Sequence, residues 1–158
     1  MTTADSPLAA FAFDEMLGWW AAEFLVPLWG ERLPVVIDAP AAGPSHRQVE
    51  TLRAILAYPD DLRGPVGEAL LAHYRDEWQG VTPSLGPGPE LRSADEALAA
   101  MSAVTLYIPA YRSETGRVAF EFHMDSRWDE DHGLCVLVRD WAAVRVAGQT
   151  DCHGADSE

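Results

Sequence analysis

Between Arg117 and Val138 the chain reads as strand, loop, strand. Val118, Phe120, Phe122 and Met124 alternate with Arg117, Ala119, Glu121 and His123, the two-residue period of a strand that buries one face. Leu134-Cys135-Val136-Leu137-Val138 is a short run that is apolar on both faces. The loop between them, Trp128-Asp129-Glu130-Asp131-His132-Gly133, holds three acids, one His and one Trp. It is the densest functional chemistry in the chain.

The other segments supply what such a strand pair needs around it. Gly18 to Val26, a turn at Gly30-Glu31-Arg32, and Leu33 to Asp38 read as a second strand pair. A helix over Phe13 to Phe24 is the competing reading. Ser45 and Gln48 fit a capping box, and Val49, Leu52, Ile55 and Leu56 fall on one stripe, which predicts a helix over 46–57. Leu62, Val66, Leu70, Tyr74 and Trp78 recur every four residues and predict a second helix over 61–78, the pair reading as an αα-hairpin. Gly80 to Pro89 is a Pro/Gly loop inside one domain. Ser93 and Glu96 repeat the capping pattern before a short helix over 94–101. Val104–Ile108, Arg117–Met124, Leu134–Val138 and Trp141–Val146 then make an antiparallel meander. The expected class is α+β: an antiparallel sheet, formed by the N-terminal strand pair plus the C-terminal meander, covered on one face by a helical hairpin. Residues 1–158 read as one domain, with 1–10 and 149–158 as loose tails.

Charge narrows the partners. There are 25 acids against 11 bases, every base is Arg, and the net charge is −14. Arg, Ala, Gly and Pro are all favoured by GC-rich codons, which accounts for the absence of Lys. A surface this negative repels nucleic-acid phosphates and anionic lipid headgroups, so neither nucleic acid nor membrane is an expected partner. It favours cations or a basic protein. Apolar residues make up 48% of the chain, enough for a packed core. The N-terminal residues lack a signal-peptide pattern, and Leu17 to Trp29 is too short and interrupted to span a bilayer, so the expected location is cytoplasmic. Of the two cysteines, Cys135 reads as a small core residue and Cys152 lies in a polar tail; two give no disulfide framework.

The loop leaves three chemistries open. As a protein-binding surface, Trp128, Asp129, Glu130, Asp131 and His132 are the contacts, an aromatic anchor with an acidic guide, and Gly133 shapes the loop. As a metal-binding module or a metal-dependent enzyme, the cluster at 123–132 offers imidazole and carboxylate ligands in His123, Asp129, Glu130 and His132, although their spacing fits no strong metal template. As a lock on the fold, Trp128 covers the core, His132 bonds a neighbouring acid or carbonyl, and Gly133 takes a positive φ. No nucleophile elbow or phosphate-binding Gly loop is present, so no catalytic residue and no cofactor are assigned, and a non-enzymatic role is expected.

Trp128-Asp129-Glu130-Asp131-His132-Gly133-Leu134 resembles the Trp-Asp-x-Glu-His-Gly-Leu signature of a bacterial family of unknown function, with Asp131 standing where that pattern has Glu. Gln48, Tyr74 and the closing Val144-x-Val146-x-Gly148-x-x-Asp151 occupy comparable places. The resemblance implies a small bacterial α+β domain without an established activity, sometimes grouped with immunity-like proteins that neutralise toxins.

Overall fold

The computed structural model describes residues 6–79 and 90–151. Among these residues seven strands form one sheet whose spatial order is their order in the chain. They are β1 (Ala12–Asp14), β2 (Trp19–Val26), β3 (Glu31–Ile37), β4 (Met101–Ile108), β5 (Ala119–Ser126), β6 (Leu134–Arg139) and β7 (Ala142–Gly148). Every neighbouring pair is antiparallel except β3 and β4, which run parallel. The class is therefore α+β, but the sheet is mixed where a purely antiparallel one was expected. The reason is the crossover. Helices α1 (His46–Ala57), α2 (Arg63–Glu77) and α3 (Ala94–Ala99) all lie between β3 and β4, and a parallel pair requires such a connection.

Local chemistry accounts for the helix ends. The Ser45 hydroxyl accepts from the Gln48 N–H at 3.2 Å and the Gln48 side chain accepts from the Ser45 N–H at 2.9 Å, the reciprocal cap that starts α1. At α3 the Ser93 hydroxyl likewise accepts from the Glu96 N–H, but the Glu96 carboxylate reaches back to the Arg92 N–H, at 2.6 Å.

The helical hairpin expected from the spacing is not formed. Instead α2 packs on α3 and on β7, while α1 sits over β4. Gly67 makes room for the α2–α3 contact: a Cβ there would lie 2.8 Å from the Ala94 carbonyl oxygen, so glycine lets α3 come this close. Strand β1 also went unread; it is three residues long, and Phe13 packs its ring 5.5 Å from Trp20.

All three helices cover the same sheet face. There Val35, Ile37, Leu106, Ile108, Phe120, Phe122, Met124, Val136 and Val138 meet Leu52, Ile55, Val66, Leu70 and Tyr74 in one core. The opposite face carries a small cluster of Ala119, Cys135 and Leu137. Cys135 is fully buried as expected of a core residue, but it is also disulfide-bonded, which its place in an apolar run did not suggest. The chain's other cysteine, Cys152, lies outside the described residues, as do the 80–89 loop and most of the expected C-terminal tail. Of the expected tails, Pro7–Ala10 and Gln149–Asp151 each form one 3₁₀ turn. Among the described residues no helix is long and apolar enough to cross a membrane.

Candidate functional site

The loop from 127 to 133 leaves β5 and re-enters the sheet at β6. Its residues divide between the interior and the surface. Trp128 is buried, with its ring 5.4 Å from that of Tyr74 on α2. Its backbone N–H donates to the Ser126 hydroxyl at 3.2 Å. Its indole N–H has no hydrogen-bond partner among the described residues. The ring is thus part of the core and is not offered to solvent.

Asp129 is half-buried. Its carboxylate pairs with His132 Nδ1 at 3.1 Å, and its carbonyl accepts from the Gly133 N–H at 3.0 Å. His132, Glu130 and Asp131 are exposed. Gly133 has φ +63, and a Cβ there would fall 2.8 Å from the Met124 carbonyl oxygen and 2.5 Å from Gln149 Nε2. The Gln149 amide itself donates to the Met124 carbonyl, so the glycine leaves room for a clasp across the base of the loop.

The loop reaches the C-terminal half of α2. Burial pushes the His73 imidazole below its ordinary value, against the opposing pull of the Glu77, Asp129 and Asp76 carboxylates. His73 is half-buried. It lines an open groove of about 350 Å³ between α2 and β7, with Asp76 and Glu77 on the helical wall and Val144, Arg145 and Val146 on the strand wall. β7 is an edge of the sheet, and Val144 is half-exposed there. The loop carboxylate Asp129 and the helix carboxylates Asp76 and Glu77 therefore all act on His73, and the two helix acids line the groove with it. Nothing in the spacing of Asp76 and Glu77 marks them, because their association with Asp129 depends on how α2 docks.

The four residues considered as metal ligands do not converge. His132 pairs with Asp129 in the loop, Glu130 is exposed, and His123 projects from the sheet face opposite the helices. There His123 Nε2 lies 2.7 Å from the Glu121 carboxylate, and Cys135 sits directly opposite His123 on β6. Among the described residues, Glu121, His123 and Cys135 form a group whose donor atoms all lie within 4.8 Å of one another. Tyr107, opposite Glu121 on β4, packs its ring 4.7 Å from His123 and donates its hydroxyl to Asp38 at 3.0 Å. Burial, reinforced by the Asp38 carboxylate, raises the Tyr107 phenol well above its ordinary range. Glu121 and Cys135 escaped sequence reasoning as partners of His123. Alternation puts 121 and 123 on one face, but only the β5–β6 register brings in 135.

No curated protein matches the chain, and no solved structure does. A family match covers residues 8–154, nearly the whole length and both the loop and the helices that flank it. The chain belongs to the family described as a domain of unknown function (DUF6985).

Proposed function

We propose that this domain is a non-enzymatic protein-binding module of the immunity-like kind, taking a basic protein on an acidic rim. The rim is built from Asp129, Glu130 and Asp131 of the loop and from Asp76 and Glu77 of α2. One observation carries the reading: Asp76 and Glu77 line an open groove with the half-buried His73, and the loop acid Asp129 acts on the same imidazole. Exposed carboxylates held on two different elements give a partner both a field to follow and a shape to fit. The net charge of −14 acts in the same direction. His132 pins Asp129 from the solvent side, and Trp128 anchors the loop from within the core, so its part in binding is positional.

A toxin nuclease is a fitting partner class, since such proteins are basic where they meet nucleic acid. The experiment is affinity capture of proteins from the source organism with the full chain and with the Glu130→Arg/Asp131→Arg variant, each at low and high salt. One basic protein, held by the native chain and lost on charge reversal or at high salt, is the expected outcome. Equal retention by both chains would put the contact elsewhere.

A further inference from the structure

We propose that Glu121, His123 and Cys135 form a redox-gated site for a zinc-class divalent ion on the sheet face opposite the helices. The site is separate from the acidic rim and does not depend on it.

Three observations converge. First, the ligand types suit such an ion: thiolate, imidazole and carboxylate are the three side-chain donors that zinc takes. Second, the geometry is close. Glu121 and His123 are two apart on β5 and so share a face, and Cys135 is the direct cross-strand neighbour of His123. Their donor atoms lie within 4.8 Å of one another. Zinc bonds of about 2.0–2.3 Å at tetrahedral angles set ligand atoms roughly 3.3–3.7 Å apart. The longest donor separation needs to close by up to about an ångström, and the His123–Glu121 contact opens from 2.7 Å by roughly half that. Third, the surroundings suit a built site. Glu121 is 3% exposed and Cys135 is fully buried, whereas the His123 side chain is 23% exposed and provides the entry path. The Tyr107 ring lies against the His123 imidazole and limits its rotation, as a supporting shell does. A carboxylate buried on a sheet face, 2.7 Å from a histidine ring nitrogen, is otherwise an expensive residue to place there.

The gate is the disulfide on Cys135. A sulfur held in a disulfide offers no thiolate. An external dithiol delivers two electrons and two protons to the bridge, which yields two thiols and leaves the reductant as its own disulfide. The ion then takes the place of the Cys135 thiol proton and of the His123–Glu121 hydrogen bond. Three protein ligands leave a fourth position for water.

The test uses the full chain with Zn²⁺ and Co²⁺ as probes. Protein is reduced with dithiothreitol, freed of reductant anaerobically and titrated beside the oxidised form. The expected result is one ion per reduced chain, a thiolate-to-cobalt charge-transfer band, and no stoichiometric binding by the oxidised chain. Cys152→Ser, which removes the only other cysteine in the sequence, should bind without prior reduction. Cys135→Ser should lose the band. His123→Gln and Glu121→Gln, near-isosteric changes, should each weaken binding at least about tenfold. Circular dichroism confirms which variants are folded; if Cys135→Ser is not, the His123 and Glu121 variants decide. No stoichiometric ion on the reduced, folded chain overturns the proposal. So does binding that the His123 and Glu121 variants leave unchanged, or equal binding by the oxidised form.

Discussion

The side-chain amide of Gln48 donates to the carbonyl oxygen of Asp38 at 2.7 Å. The same nitrogen donates to the Pro109 carbonyl at 2.9 Å, while its amide oxygen holds the Ser45 N–H. Asp38 and Pro109 each follow the last residue of a strand, β3 and β4, so one buried side chain caps α1 and clasps the parallel pair. Gln48→Ala should cost about 2–4 kcal/mol, from the lost cap and the carbonyls left without a donor. Gln48→Glu should be no better, since a carboxylate has no hydrogen to give. Urea unfolding measures both; a midpoint within error of the native chain would count against the clasp.

Trp128 gives a graded pair. Trp128→Ala opens a cavity beside Tyr74 and should cost about 3–5 kcal/mol. Trp128→Phe keeps most of the packing and removes an indole N–H that has no partner among the described residues. It should therefore cost less than about 1.5 kcal/mol. A Phe variant as damaged as the Ala variant would mean that the indole N–H matters after all.

Gly133→Ala should be severe for one methyl group. It forces a φ of +63 on an L-residue and pushes a carbon into the Gln149–Met124 hydrogen bond. A loss of roughly 2–4 kcal/mol is expected from strain and the broken clasp. Pairing it with Gln149→Ala in a double-mutant cycle should recover part of the loss, because the second change clears the space.

His73 sets a pH signature. Its folded value lies below the ordinary 6.5, so the fold favours the neutral ring and the unfolded chain takes the proton more readily. This contribution to stability is present above the unfolded value and is lost as pH falls through it toward the folded one. His73→Gln should flatten the decline in stability on acidification through that range, as measured by thermal unfolding. A decline of the same steepness in the variant would assign the effect to other groups.

Reversing Glu130 and Asp131 should leave stability within about 0.5 kcal/mol, because both are exposed and neither holds the fold. A calorimetric scan separates this from any loss of binding. A marked fall in melting temperature would mean that the charge-reversed chain cannot report on the rim.

Much of the architecture was legible because its signals are local. The α1 helix starts and ends where Ser45, Gln48 and the stripe of Leu52 and Ile55 place it. Met124 and Phe122 face the core and His123 faces away, as alternation requires. What was not legible depends on contacts between distant segments. The parallel sense of β3 and β4 follows from where three helices are accommodated, and the α2–α3 packing from a single glycine at 67. The loop shows the same division. The local pattern marks 128–133 as unusual, but it does not say that Trp128 turns inward to Tyr74 while Glu130 and Asp131 turn outward. Nor does it bring Cys135 to His123, which is a matter of register.

The parallel pairing of β3 with β4 also orders events in time. Val35 meets Leu106, partners 71 positions apart, whereas each hairpin from β4 to β7 joins near neighbours in the chain. Closing a loop of that length costs about 4 kcal/mol of chain entropy beyond the constant term, before any of its contacts form. The C-terminal meander and the β1–β3 hairpins face no such barrier and are expected to form first. The expected slow step is the three-residue β3–β4 pairing, with Gln48 closing as that seam closes. In kinetic terms the joint, not the loop, governs how quickly the molecule becomes whole.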